Sequence, residues 1–163
     1  MSLGPLREEF FWDINIRWSR PSEYNTICEN GSPLDETAYL YHIIGRFSGK
    51  GYKSFYIGCT YDQWISKRLS QPDHRKKYWN FITNYPKHRF YVSCGNIDVV
   101  KGKITRKRIK DIEAILIYAN DSGHTVNRSH SYTHGAKTSY RIRNNGYRVG
   151  LPKEIHYGIF VQR

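Results

Sequence analysis

Glu113 is the residue in this chain whose position most clearly asks for a chemical explanation. It lies in "TRKRIKDIEAILIYAND", Thr105 to Asp121, where Ile109, Ile112, Leu116 and Ala119 recur at helical spacing. At roughly 100° per residue from Ile109, Glu113 falls at about 40°, on or beside the apolar stripe. An unpaired charge there is expensive. Its carboxylate therefore serves one of two ends, a metal ion or a buried ion pair with a neighbouring cation, and periodicity does not separate them. A second feature is "FYIGCTYDQWISKRLSQPDH", Phe55 to His74. A tyrosine closes an apolar strand there, and Arg68 follows one short helix later. Arginine offers a planar, permanently charged fork that suits phosphate, although a surface cation on a helix is its commonest use.

The charge pattern gives these residues a context. The chain has a net charge of +12, and the charge is unevenly spread. Residues 1–40 carry 3 basic and 7 acidic side chains, residues 41–100 carry 10 and 3, and residues 101–163 carry 13 and 4. Such asymmetry points to a polyanionic partner, most often nucleic acid, although basic housekeeping proteins share it. "KGKITRKRIK", with Lys103, Arg106, Lys107 and Arg108, gathers cations near the N-terminus of the Glu113 helix. Cations are locally unfavourable at that end, and phosphate would relieve them. "RSHSYTHGAKTSYRIRNNGYR", with Arg128, Arg141, Arg143 and Arg148, interleaves basic and aromatic side chains in a way that suits phosphate contact with stacking. Solvated basic faces are the plainer reading of both stretches. His130 and His134 have the spacing of a helical metal pair, but their neighbours do not read as helix, so the spacing is accidental.

These residues need elements to hold them. "EEFFWDINIRWS" reads as a strand and "RPSEYNTICENGSPLDE" as a turn-rich linker. "TAYLYHIIGRF" and "KSFYIGCT" read as an antiparallel hairpin, rich in Tyr, Ile and Phe on both faces. "YDQWISKRLSQ" and "HRKKYWNFITN" read as helices, the second presenting Tyr78, Trp79 and Ile82, and "HRFYVSCGNI" reads as a strand. After the Glu113 helix, Asn144-Asn145-Gly146 is a hairpin-turn signature, and "IHYGIFVQ" supplies a last strand. The mixture is α+β. No apolar run reaches the roughly 18 residues of a membrane span, and no signal segment opens the chain. Three dispersed cysteines argue against a disulfide framework or a cysteine zinc site. A reducing, cytoplasmic compartment is the expectation.

Five features stand in order along the chain: "YLYHI", "YIG", Arg68 in "KRLSQPDH", Glu113 in "IEAILI" and Asn127 in "TVNR". Together they resemble the GIY-YIG nuclease superfamily, over about residues 37 to 128. Tyr39 stands where the family has its first glycine, and Pro72 and Asp73 intervene before His74. The resemblance implies a small three-stranded antiparallel sheet flanked by helices, here with added N- and C-terminal strands. It divides one compact domain into an N-terminal extension (1–36), a catalytic core (37–128) and a basic C-terminal extension (129–163). It implies hydrolysis of DNA phosphodiester bonds dependent on Mg²⁺ or Mn²⁺, restriction-type on duplex DNA, with a homodimer as an option. A repair or mobile-element nuclease, or a non-catalytic nucleic-acid-binding module on the same core, is the alternative. Carried over residue by residue, Tyr41, Tyr56, Arg68, His74, Glu113 and Asn127 form the site, with Glu113 on the metal and Lys67 second to Arg68 at the phosphate. Tyr41 rather than Tyr39 matches the family's tyrosine, any residue, apolar spacing, so Tyr41 accepts the nucleophile's proton. Tyr39 and Tyr41, two apart on a strand, are expected on the same side.

Overall fold

The computed structural model describes residues 11–31, 38–99, 103–120 and 139–157. In chain order the elements are β1 (Phe11–Trp18), β2 (Ser22–Glu23), α1 (Tyr24–Asn30), β3 (Leu40–Phe47) and β4 (Lys53–Cys59). There follow α2 (Ile65–Leu69), α3 (Pro72–Asn84), β5 (His88–Val99), α4 (Arg106–Ala119), β6 (Ser139–Gly146) and β7 (Glu154–Tyr157). The strands form one seven-stranded mixed sheet in the order β4-β3-β5-β1-β6-β7, with β2 paired to β5.

The class is α+β, as the order of elements implies, but a small three-stranded sheet is not what forms. The run β4-β3-β5 is antiparallel, and β5 continues past it to pair with β1 along Ile14–Trp18. β1 then pairs in parallel with β6 over its whole length, and β7 closes the far edge. The physical reason is exposure. Ile14, Ile16, Tyr140 and Ile142 are apolar on one face of β1 and β6, and a separate appendage would leave that face in water. Joined to the sheet, they complete a single core with α4 through Ile109, Ile112, Ile115 and Leu116.

The other face carries a second core. Tyr24 and Ile27 of α1, Ile65 and Leu69 of α2 and Phe81 of α3 cover Tyr41, Ile43, Phe55, Phe90 and Val92. α1 lies where the sequence reads as linker. Its turn formers flank a buried Tyr24–Ile27 pair, and the helix ends at Gly31 with φ 72°. α3 turns a different face inward from the one its apolar residues indicate. His74 and Phe81 are buried, while Trp79 is 68% and Ile82 37% exposed. The hairpin signature is displaced as well. Asn144 lies buried within β6, accepting from Trp18 Nε1 at 3.0 Å and donating to the Pro152 carbonyl at 2.9 Å. The chain leaves the strand only at Gly146, with φ 80°, where a Cβ would meet the Trp18 carbonyl oxygen at 2.4 Å.

Among the described residues no helix is long and apolar enough to cross a membrane.

Candidate active site

The site grows from β3 and β4. Tyr41 and Gly58 are direct partners across the hairpin. The Tyr41 ring lies over Gly58 so closely that a Cβ there would meet the phenol oxygen at 2.2 Å and Cζ at 2.3 Å. Glycine is required because the ring occupies the space that any side chain would need. This gives the "YIG" triplet a packing reason on its own terms. Tyr56, two residues back on the same strand, stacks against Tyr41 with ring centroids 6.1 Å apart.

α3 supplies the next partners. His74 is buried between the two tyrosines, its ring edge-on to both at 5.6 and 5.7 Å. Its Nδ1 lies 3.2 Å from Asp73 Oδ2, which leaves Nε2 to accept the Tyr41 hydroxyl proton in a hydrogen bond. Burial depresses the His74 pKa to about 4, Arg68 adding to the fall and Asp73 opposing it, so the ring is neutral near pH 7. Burial also holds the Tyr41 phenol well above its ordinary value. Tyr56, Glu113 and Cys59 push it the same way, and Arg68 pulls it down. Tyr41 is accordingly a phenol, not a phenolate, and releases a proton only as it gains one. Lys77, one turn beyond His74, donates to the Tyr56 hydroxyl at 3.2 Å, with its ammonium 4.5 Å from that ring's centroid.

Arg68 sits in the last turn of α2. It donates to Gln71 Oε1 and pairs with Asp73 at 3.2 Å. Its side chain lines a cleft of about 170 Å³ together with Cys59, Thr60, Tyr61, Gln63, Arg106, Ile109 and Lys110. Glu113, 7% exposed on α4, does not itself line the cleft but contacts two residues that do, Cys59 and Lys110. Its Oε2 accepts from the Cys59 thiol at 3.2 Å and lies 3.6 Å from Lys110 Nζ. Burial, with Glu113 adding to it, pushes the Cys59 thiol up to about 12, so the sulfur carries its proton. Glu113 raises Lys110 in return. Of the two ends foreseen for this carboxylate, the cation is beside it, and the cleft is reached through Cys59 and Lys110.

Tyr41, Tyr56, Arg68, His74 and Glu113 thus come from five elements to the β4 edge of the sheet. Asn127 and Arg128 lie outside the described residues. Tyr39 does not share the side of Tyr41. It precedes β3, stacks on Tyr61 at 6.2 Å and packs against the α4 core, so strand alternation does not apply to it.

The basic residues divide. Lys67, Lys103 and Lys107 are exposed. Arg106 is exposed too, 3.5 Å from Asp62 and over the Tyr61 ring. Arg108 stacks on Trp12. Arg141 and Arg143 both bind Asp13, Arg143 at 3.1 Å. Arg141 first and Arg143 with it hold that carboxyl below its ordinary pKa. Arg148 donates to the Leu151 carbonyl at 3.1 Å. Sequence reasoning passed over Asp73, Lys77 and Cys59. Each had a signal, since Asp73 and Cys59 adjoin His74 and Gly58, and Lys77 lies i+3 from His74 on one helix face.

Comparison with family models, with curated protein sequences and with solved structures returns no match.

Proposed function

We propose that the protein is a divalent-metal-dependent DNA endonuclease, with a GIY-YIG-type site at the β4 edge of the sheet. The observation that carries the reading is the Tyr41–His74 hydrogen bond, set over Gly58 and coupled electrostatically to Arg68 and Glu113. A core serving packing alone has no use for a buried tyrosine, a neutral histidine, an arginine and a carboxylate converging from distant parts of the chain.

The donor set fits Mg²⁺ or Mn²⁺. Among the described residues no group of three or more His, Cys, Asp and Glu side chains gathers, so a closed protein cage has no ligands there. One carboxylate, next to residues that line a cleft, suits a hard cation whose shell is completed by waters and phosphate oxygens. Glu113 would hold it, and Lys110, whose side chain is 64% exposed, can swing away. When bound, the ion supplies positive charge for the phosphoryl and leaving oxygens.

The chain's own residues do the rest. As the water oxygen bonds to phosphorus, its proton passes to the Tyr41 oxygen and Tyr41 passes its own to His74 Nε2, while the P–O bond to the leaving strand end breaks and that oxygen takes a proton from solvent. Asp73 holds the imidazole tautomer through Nδ1. Charge on the resulting imidazolium is balanced by Asp73. Arg68 binds a non-bridging phosphate oxygen, exchanging part of its contact with Gln71 and Asp73 for it. Lys77 fixes the Tyr56 hydroxyl at the edge of the site. Duplex DNA is the substrate, and the exposed Lys67, Lys103 and Lys107 lie ready for its backbone.

The test is incubation of supercoiled plasmid with the protein and Mg²⁺ or Mn²⁺, against a chelator control. Metal-dependent nicking or linearisation is expected. An intact plasmid under every metal condition, with the protein bound to it, would leave a binding module in place of the enzyme.

A further inference from the structure

The far end of the β3–β4 hairpin carries a second concave surface that the cleavage site does not use. A groove of about 430 Å³ is lined by Arg46, Ser48, Gly49, Lys87, Arg89 and Tyr91. Arg46 on β3 and Arg89 on β5 are direct partners across the sheet. Like charges in that position destabilise a sheet unless something neutralises them. No described carboxylate lies within ion-pair distance of Arg46, Lys87 or Arg89, although Glu23 neighbours Tyr91 across β2 and β5. This contrasts with Arg68, Arg106, Arg141 and Arg143, each of which has an aspartate partner.

The guanidinium is also positioned. Arg46 lies 5.6 Å from the Tyr52 ring centroid, and Tyr52 meets Tyr91 edge-on at 5.4 Å. An aromatic floor under an arginine, with two more cations at the rim, suits a phosphodiester backbone better than a compact anion. Tyr41 and Arg46 are five residues apart on one strand, about 17 Å along it, and strand alternation turns their side chains to opposite faces of the sheet.

We propose that this groove is a second nucleic-acid contact, binding sugar-phosphate backbone remote from the scissile bond. It rests on the endonuclease reading for the identity of its ligand. The like-charge pair is then a cost held in the free protein and relieved on binding.

The experiment compares the wild type, Arg46→Gln/Arg89→Gln and Arg46→Lys/Arg89→Lys, measuring anisotropy of a labelled 30-base-pair duplex between 50 and 200 mM salt in chelator. Two lost contacts lower the salt slope by about 1.8, so the affinity change over that range shrinks roughly tenfold. The lysine pair keeps the wild-type slope. Thermal midpoints of both variants match or exceed the wild type, because the residues are exposed and mutually repulsive. An unchanged slope in the glutamine pair overturns the groove while leaving the cleavage site standing. A wild type that binds duplex and never cuts overturns the enzyme and leaves the groove. A wild type that binds no duplex at 50 mM salt overturns both.

Discussion

Replacing Gly58 with alanine probes the packing on which the site depends. The added methyl would stand 2.2 Å from the Tyr41 hydroxyl oxygen and 2.3 Å from Cζ. Those atoms belong to a rigid ring that is 1% exposed, so the ring or the hairpin must move. Overpacking of this kind costs about 1–3 kcal/mol. If the ring moves, the buried His74 Nε2 also loses its partner, which adds about 1–3 kcal/mol. A loss of about 2–6 kcal/mol is expected, read as a fall in the urea midpoint at constant m. Substituting Tyr41 with valine in the same chain removes the clashing atoms. The two changes should therefore be less destabilising together than their sum, by about 0.5–3 kcal/mol. Additive effects, or a Gly58→Ala variant within about 0.5 kcal/mol of the wild type, would refute the close approach of ring and glycine.

Other outcomes follow from the same structure. Tyr41→Phe should lower single-turnover cleavage about 10²–10⁴-fold with little change in DNA affinity, whereas Tyr39→Phe should cost far less. A larger loss at Tyr39 in that assay would reverse the assignment. His74 and His42 are buried with pKa values depressed to about 4 and about 3, so the unfolded chain binds protons that the folded one refuses. Stability should be full above about pH 6.5 and fall toward pH 4, at up to about 1.4 kcal/mol per pH unit for each histidine, as urea titrations at several pH values would show. Asp13 has a depressed pKa, so its contribution is present above the usual carboxylate value and is lost as pH falls through the lower folded one. The deficit of Asp13→Asn relative to wild type should shrink below about pH 4 in the same titrations. Arg141→Gln should lower the thermal midpoint and leave the salt slope of DNA binding nearly unchanged, because its charge is engaged by Asp13.

The β3–β4 hairpin and α4 were legible in the sequence because their signals are local. Two apolar runs are joined by a short glycine loop, and a 3.6-residue stripe carries one conspicuous carboxylate. The enlarged sheet was not. β1 and β6 pair Asn15 with Arg143 across most of the chain, and nothing local in either strand names its partner. α3 misled because its two conspicuous apolar residues, Trp79 and Ile82, face water, while His74 is buried against two tyrosines. The partners of the basic residues were hidden for a related reason. Sequence shows a charge run but not an Asp13 that folds beneath Arg141 and Arg143, so cations engaged in ion pairs look the same as free ones. Arg46 and Arg89 gave no run at all, being 43 positions apart and neighbours only across β3 and β5.

If Glu113 holds the cation at a cleavage site, the Glu113→Gln variant loses that cation and with it the cleavage. Cleavage of plasmid in Mg²⁺ and Mn²⁺ is measured alongside duplex affinity and the thermal midpoint. The variant is expected to fold, to bind DNA about as tightly as the wild type and not to cut. Cutting at the wild-type rate would contradict it, and so would a variant that unfolds, which would make Glu113 the buried partner of Lys110 and nothing more.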